Sequence, residues 1–410
     1  MGDVSTILRT PATTSAPNAR TGRLAVAAVT LAIFAIVTTE ILPIGLLTSI
    51  GADFTVSDGN AGLMMAAPGL IAAVAAPVVT VASGRIDRRI MLCLFMFLLV
   101  TANVLMAVAS AYPLVLVSRV LVGITIGGFW SIAAGLAERL VPAAAVPRAT
   151  AVIFAAVPLG SVLGVPAGTL FGEIAGWRVT FAALGALSAL VLGMLVVFLP
   201  PLPARRGTDA AVLRILLRGS NIRFALLATF LVVFAHFGTY TYVTPFLEQV
   251  PRLGPGLITL VLLSYGVAGI LGNFLGGATI SRYPRATFGC AAALIALAAL
   301  LLPVLGGSLP GALCLLVVWG LGYGAVPVSS QAWFGKAAPA VPEAAAVLFT
   351  AAFQATFALG ALAGGGVLDR TTPSTLLMLG GLTAALVLVP VAMHALRRHT
   401  WPDPTPLPRG

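Results

Sequence analysis

Charged side chains are scarce in this sequence. Asp, Glu, Lys and Arg together account for 9% of its 410 residues, and Lys336 is the single lysine. Apolar residues account for 59%, and the mean hydropathy is +1.07. A soluble domain of this length would need far more polar surface to stay in solution. The composition therefore argues against a soluble enzyme or a soluble binding domain.

Cysteine is equally rare. Cys93, Cys290 and Cys314 lie within apolar blocks and belong to no motif, so we expect neither a disulfide framework nor a metal site. A phosphate-binding loop of the Gly-x-x-x-x-Gly-Lys-Ser/Thr type is absent, and so is a His/Asp constellation at the end of an apolar block. Both absences count against a membrane-embedded enzyme, and we expect no cofactor.

Basic residues outnumber acidic ones, which gives a formal net charge of +11. They sit in short segments between the apolar blocks and form no continuous patch, so we do not expect nucleic-acid binding. These segments are also too short to form a soluble domain, which counts against a receptor or a scaffold protein.

The apolar residues are arranged in long blocks. About 20 such residues span a bilayer as a helix, and lipid requires that each block satisfy its own backbone hydrogen bonds. The alternation typical of a membrane β-barrel is absent. The sequence therefore predicts an all-α membrane protein with twelve transmembrane helices, at 24–50, 60–82, 90–109, 112–137, 149–172, 179–200, 222–247, 256–278, 286–306, 310–334, 343–367 and 374–396.

The positions of the basic residues predict the orientation, because cytoplasmic loops are enriched in Arg and Lys. With both termini inside, nearly all of the 23 basic residues fall in inner segments. The exceptions are Arg119, within a span, and the outer residues Arg178, Arg252 and Arg370. An odd number of spans would remove this asymmetry.

The longest internal polar segment divides six spans from six. We therefore predict a disordered cytoplasmic tail (1–23), an N-terminal bundle (24–200), a cytoplasmic linker (201–221), a C-terminal bundle (222–396) and a second cytoplasmic tail (397–410).

Two loops, one in each half, have similar sequences. When they are aligned, Arg85 matches Arg282 and Arg88 matches Arg285, about half a chain apart. Such repeats of six-helix halves occur in secondary transporters that bind substrate near the bilayer midplane. The residues concerned are Gly84, Arg85, Asp87, Arg88 and Arg89 in the first loop, and Ser281, Arg282 and Arg285 in the second.

Both loops resemble the signature loop of the major facilitator superfamily, Gly-x-x-x-Asp-Arg-x-Gly-Arg-Arg. In the first copy Thr80 replaces the first Gly, Gly84 replaces the Asp, and Asp87 replaces the second Gly. The resemblance implies that these loops clasp helix ends and take part in conformational switching, with Asp87 in place of the missing acid. The alternative is that the arginines act only as a topology signal.

Two glycine-rich motifs extend the resemblance. Arg119, Gly123, Gly127 and Gly128 match the fourth-span motif of the superfamily. In the fifth span, the motif associated with antiporters is matched with its proline displaced by one position, at Gly160, Gly164, Pro166 and Gly168. Close helix packing is the alternative explanation for these glycines.

Shorter stretches, such as Thr39-Glu40-Ile-Leu-Pro43 and Gly176-Trp177-Arg178, resemble the drug:proton antiporter branch. Within it they are most similar to bacterial purine ribonucleoside efflux pumps and sugar efflux transporters. The resemblance implies a proton gradient as the energy source, export of a nucleoside, sugar or drug, and a monomer embedded in lipids of the bacterial cytoplasmic membrane. A symporter or a uniporter on the same fold stays open.

Ionisable residues within spans are functional candidates, because lipid makes them costly. Glu40, Arg119 and His236 qualify, and at 1.5 Å per residue they lie at similar depth. We expect Glu40 to bind the coupled proton; a static ion pair with Arg119 or a solvated position is the alternative. His236 is either titratable or a packing residue. Four acids at span ends are expected to be solvated: Glu138, Glu173, Glu248 and Asp369.

Substrate contacts are expected from aromatic rings and a few polar groups. Packing or anchoring at the membrane interface is the alternative for the aromatic residues. The candidates are Phe129, Trp130, Tyr240, Tyr242, Asn273, Gln331, Trp333 and Gln354. Their mixture of amides and rings suits a neutral or cationic molecule with a flat or hydroxylated part.

Overall fold

The computed structural model describes residues 19–82, 86–133, 136–203, 214–280, 282–339 and 341–389. Over these ranges the chain forms helices and turns and contains no strand, which confirms the predicted all-α class. Residues 204–213 of the predicted linker and most of both predicted tails lie outside the described ranges. The first helix begins at Ala19, so the last residues of the predicted N-terminal tail are helical.

We number the main helices in chain order and call α1–α6 the N half and α7–α12 the C half. The N half contains α1 (Ala19–Ile41), α2 (Leu63–Ala82), α3 (Arg88–Ala107), α4 (Tyr112–Ala133), α5 and α6 (Trp177–Phe198). In α5, Val146–Leu159 and Val165–Ala175 are joined by a π-helical segment, Gly160–Gly164. The C half contains α7 (Ser220–Tyr240), α8 (Pro255–Ile280), α9 (Pro284–Leu305), α10 (Leu309–Ala337), α11 (Pro342–Leu368) and α12 (Pro373–Leu386).

Eleven of the described helical segments are long and apolar enough to cross a membrane, and each coincides with a predicted span. The twelfth, α12, is apolar but shorter, and residues 390–410 lie outside the described ranges. The count of twelve crossings and the location of the termini therefore stay predictions.

The first and seventh spans are interrupted, contrary to the prediction. A 3-10 turn, Leu42–Ile44, follows α1 and leads to a short helix, Leu47–Asp53. After α7 the chain turns and continues as Val243–Gln249. Proline explains the first break, because Pro43 has no backbone N–H to extend the α-helical hydrogen bonding. Glu40 consequently lies at the very end of α1.

The two halves repeat the same packing. Within the N half α2 packs on α4, α3 on α6 and α1 on α5, and the C half repeats this with α8 on α10, α9 on α12 and α7 on α11. Two contacts between the halves, α2 with α11 and α5 with α8, exchange when the halves are exchanged. The two halves therefore share the same internal packing and are related by pseudo-symmetry, as the loop repeat predicted.

The signature-like loop before α3 joins helix ends. Asp87 caps α3 by accepting from the Arg89 N–H at 2.8 Å. It also accepts from the Leu202 N–H at 3.0 Å. The Arg88 N–H donates to Leu202 O at 2.9 Å. Asp87 thus ties α3 to the segment after α6.

Several loop residues of the switch prediction are not described. Gly84, Arg85 and Ser281 lie outside the described ranges. Arg282 is exposed next to the ring of Tyr283, and the backbone of Arg285 lies in α9. The switching role of both loops stays a prediction.

Three carboxylates at one end of the molecule accept hydrogen bonds from hydroxyl groups of the opposite half. The pairs, which we call the outer clasp, are Thr48 Oγ1 to Glu248 Oε1 (2.9 Å), Ser57 Oγ to Asp369 Oδ2 (3.0 Å) and Thr259 Oγ1 to Glu173 Oε1 (3.1 Å). Three of the four acids expected to be solvated at span ends therefore link the halves. We call this end, which also carries Asp53, the predicted outer end.

Carboxylates at the predicted outer end differ in their surroundings. Burial raises the pKa of Glu248. The hydrogen bond from Thr48 opposes this shift, and the negative charge of Asp58 adds to it. Hydrogen bonds from Trp177 and Arg178 lower the pKa of Asp53. The Asp53–Arg178 ion pair, at 2.6 Å, lies entirely within the N half.

We expect Thr48→Val and Asp369→Asn to loosen the predicted outer end, singly and more strongly together. A single hydrogen bond contributes little, so each loss is expected to shift the opening equilibrium roughly 2- to 10-fold. The measurement is the labelling rate of one cysteine at the buried Thr244 by a membrane-impermeant maleimide, in a chain without native cysteines. The side chain of Thr244 contacts Ile44 O of the opposite half, so separation of the halves exposes this position.

Asp53→Asn is the matched control, because its ion pair does not join the halves and its loss is expected to leave the labelling rate unchanged. Labelling of both clasp variants at the wild-type rate would show that these bonds do not hold the halves together.

Candidate functional site

Glu40 lies in the last turn of α1 and is 8% exposed. Its Oε1 accepts a hydrogen bond of 2.9 Å from Nε2 of Gln354, on α11. A buried carboxylate requires such a partner, because loss of hydration is costly. Since α1 and α11 belong to opposite halves, this bond joins the halves within the span.

Arg119 binds the end of α1 through backbone atoms. It is 1% exposed, and it donates to Met64 O (2.8 Å), Thr39 O (2.9 Å) and Glu40 O (2.8 Å). The last carbonyls of a helix lack intrahelical donors, and a positive charge at this terminus is favourable. Arg119 therefore completes the hydrogen bonding where α1 is interrupted.

The static ion pair that the sequence left open is not formed. Both side chains lie in the described part of the chain, and the contact of Arg119 with Glu40 is to the backbone carbonyl, without an ion pair to the carboxylate.

The antiporter-like motif packs against the stretch of α1 that carries Glu40. A Cβ at Gly160 would lie 3.1 Å from Val37, and one at Gly168 would lie 2.5 Å from Leu42 Cδ1. At Gly164 it would overlap the side chain of Thr38. Pro166 is buried at the start of the second part of α5. The glycines therefore let α5 approach the two sides of Glu40 closely.

His236 lies in an aromatic cluster of the C half. Its Nδ1 accepts from Trp319 Nε1 at 2.9 Å, and its ring stacks on Tyr323 with centroids 3.5 Å apart. The ring of Tyr240 lies 5.1 Å from that of His236, and the ring of Tyr265 lies 4.3 Å from Tyr240 and 6.4 Å from His236. We call Tyr323, His236, Tyr240 and Tyr265 the aromatic column. These contacts agree with a packing role for His236, although its Nε2 has no hydrogen-bond partner among the described residues.

The remaining predicted substrate contacts do not converge on Glu40. Phe129 is fully buried in the core of the N half, and Trp130 lies 6.1 Å from the ring of Phe154. Tyr242 donates to Ala361 O at 2.6 Å beyond the end of α7. These three positions are structural in their contacts.

Three further candidates are more accessible. Asn273 is half-buried on α8, and Gln331 is exposed on α10. Trp333 is half-buried, and its ring makes a T-shaped contact with that of Phe288. Of the eight predicted contacts, Gln354 joins the Glu40 network and Tyr240 joins the aromatic column.

Sequence reasoning missed Trp319, Tyr323 and Tyr265. The signal for the first two was available, because Trp319 and Tyr323 are four residues apart on α10 and therefore share a face. His236 and Tyr240 have the same spacing on α7. Two such pairs predict stacking between them where the two helices pack together.

Comparison with known families now bears on this site. The family model described as Major Facilitator Superfamily matches residues 28–351. The chain belongs to this superfamily. Curated relatives include purine ribonucleoside efflux pumps NepI from Escherichia coli (strain UTI89 / UPEC) and Shigella dysenteriae serotype 1 (strain Sd197). Each is 32% identical over 373 residues, which cover 90% of this chain and 94% or 95% of the relative.

Solved structures show the same fold at low identity. A POT family transporter in complex with 5-aminolevulinic acid has a TM-score of 0.73 at 12% identity, covering 93% of this chain and 97% of its own. A bacterial homologue of the human lysosomal transporter Spinster, inward-facing and occupied, has a TM-score of 0.71 at 16% identity, covering 90% and 95%. As a superfamily member, the chain is a multi-pass membrane transporter of a small molecule and not an enzyme.

Gly164→Ala is expected to displace α1 near Glu40. The added Cβ would lie 2.7 Å from Cγ2 and 2.9 Å from Cβ of Thr38, so rotation of that side chain cannot relieve the overlap. Overpacking of this kind costs about 1–3 kcal/mol. We expect a lower unfolding temperature in detergent and slower transport.

Gly193→Ala on α6 is the control, because a Cβ there has nothing within 4 Å. If Gly164→Ala matches Gly193→Ala in both measurements, the close approach of α5 to α1 does not position Glu40.

Proposed function

We propose that this transporter exports a small organic molecule, a purine nucleoside in the first instance, in exchange for protons. The observation that carries the proposal is the buried Glu40 carboxylate, which is hydrogen-bonded to the opposite half. A proton that binds there alters a contact between the two bodies that must move for alternating access.

Glu40 is suited to carry the proton for two reasons. An ionised carboxylate at this depth is costly, so each change of protonation alters the energy of the surrounding structure. Glu40 also lies at the end of α1, which Arg119 holds through backbone carbonyls, and its side chain reaches Gln354 in the C half. Arg119 in this proposal positions the acid and supplies a compensating charge.

The substrate class is proposed from two sources. The relatives named as purine ribonucleoside efflux pumps share 32% identity over most of the chain. The aromatic column offers flat rings, of which Tyr323 is half-buried, and aromatic faces stack favourably on planar bases. Export, the cytoplasmic membrane and cytoplasmic termini complete the proposal, and we expect a monomer.

Uptake into inverted vesicles with an imposed pH gradient tests the proposal. We expect labelled adenosine or guanosine to accumulate while the gradient lasts, and a sugar and a cationic drug serve as comparison substrates. Glu40→Gln is expected to abolish gradient-driven accumulation but to retain nucleoside exchange without a gradient, because the amide keeps the shape and cannot carry a proton.

Asp53→Asn, which removes an exposed carboxylate at the predicted outer end whose ion pair lies within the N half, is the control and is expected to transport normally. Full gradient-driven transport by Glu40→Gln would exclude Glu40 as the proton carrier. Accumulation that runs with the proton instead of against it would indicate a symporter.

A further inference from the structure

The amide of Gln354 has one end satisfied and one end unsatisfied. Its Nε2 donates to Glu40, whereas its Oε1 has no hydrogen-bond partner, although Gln354 is only 6% exposed. A buried carbonyl oxygen without a donor is unfavourable. An unsatisfied acceptor beside the proposed proton site therefore needs an explanation.

The orientation of this amide follows from the chemistry of Glu40. An ionised carboxylate has only acceptors, so the neighbouring amide must present its NH₂ group to it. The carbonyl oxygen is then left over for another donor. Within the described part of the chain no protein group supplies that donor.

We propose that Gln354 Oε1 accepts a hydrogen bond from an amino group of the substrate, and that protonation of Glu40 turns the amide over and withdraws this acceptor. The inference rests on the proposed function and names the group that recognises the substrate. The expected ligand is a planar, amine-bearing nucleoside such as adenosine.

The turnover involves proton binding and one bond rotation. A proton adds to the Glu40 carboxylate, which then has an O–H donor. The Gln354 amide rotates about its last side-chain bond by half a turn, and Oε1 accepts from that O–H. The amide ends are similar in shape and the terminal torsion is broad and two-fold, so no repacking is required. The NH₂ group now faces the position of the substrate amine.

Donor then faces donor, and the substrate loses its hydrogen bond. Because binding effects are reciprocal, a bound amine also opposes protonation of Glu40. Proton and substrate therefore exclude each other although they share no atom of the site. Mutual exclusion of this kind is what an exchange reaction requires.

Other charged and titratable groups around Glu40 are engaged in fixed contacts. On α4, Arg119 is bound to three backbone carbonyls. On α10, Tyr323 stacks on His236 of α7. From α2, the backbone carbonyl of Met64 accepts from Arg119. Gln354 is thus the polar group that responds directly to the proton on Glu40.

The test compares adenosine with purine riboside, which has the same rings and ribose but no 6-amino group. Binding is measured on the purified full chain in nanodiscs at an alkaline and an acidic pH. For the wild type we expect adenosine to bind roughly 3- to 10-fold more tightly than purine riboside at alkaline pH, the effect of one hydrogen bond, and no more tightly than purine riboside at acidic pH. This wild-type result depends on no variant.

Gln354→Leu is expected to bind both ligands equally at both pH values, and binding of purine riboside shows that the variant is folded. Glu40→Gln is expected to remove the pH dependence of the preference. Gln249→Leu, which removes an exposed amide outside the spans, is the matched control and is expected to behave as the wild type.

A wild type without the adenosine preference, or with the same preference at both pH values, would overturn the inference. So would a Gln354→Leu variant that keeps the preference. Each of these outcomes is compatible with gradient-driven nucleoside accumulation in vesicles, so it would overturn the inference about Gln354 and leave the proposed function standing. Absence of that accumulation in the wild type would refute the proposed function itself.

Discussion

Lipid offers no hydrogen-bond donor to a backbone carbonyl, so every helix that stops within a membrane needs one from the protein. Pro43 stops α1, and Arg119 supplies three donors to the carbonyls exposed there and at Met64. This contact fixes the end of α1, and the end of α1 places Glu40. From that position the carboxylate reaches Gln354 in the opposite half. The central contact between the halves thus depends on how one helix break is satisfied.

Hydropathy was sufficient to predict the all-α class and the positions of eleven spans, because lipid imposes length and composition directly. Scarcity of charge singled out Glu40 and Arg119 in the same way. The contact between them could not be predicted, since a guanidinium can donate to a carboxylate or to backbone carbonyls. The break in α1 exposes carbonyls, and Arg119 donates to these. Gln354 was predicted as a substrate contact, but its bond to Glu40 joins residues too distant in sequence for any local pattern.

Aromatic residues were harder to assign than charged ones. Phe129 belongs to the core of the N half, and Tyr240 and Tyr265 of the aromatic column belong to the core of the C half, so aromatic character alone does not identify a ring that contacts substrate. Glycines carry more information than expected for packing residues, because Gly160 and Gly164 lie against α1 before Glu40, and Gly168 lies against Leu42 in the turn after it. The glycines that let α5 pack closely against α1 therefore also position Glu40, the proposed proton site.

The outer clasp is built from carboxylates and hydroxyl groups, and its donors carry no charge. Attraction between opposite charges is screened by dissolved ions over a distance of about 8–10 Å at moderate salt. A hydrogen bond to a neutral hydroxyl acts at contact and loses little to such screening. The equilibrium between the open and closed forms of the predicted outer end is then expected to change little with ionic strength, so that this end would close equally well at low and at high salt.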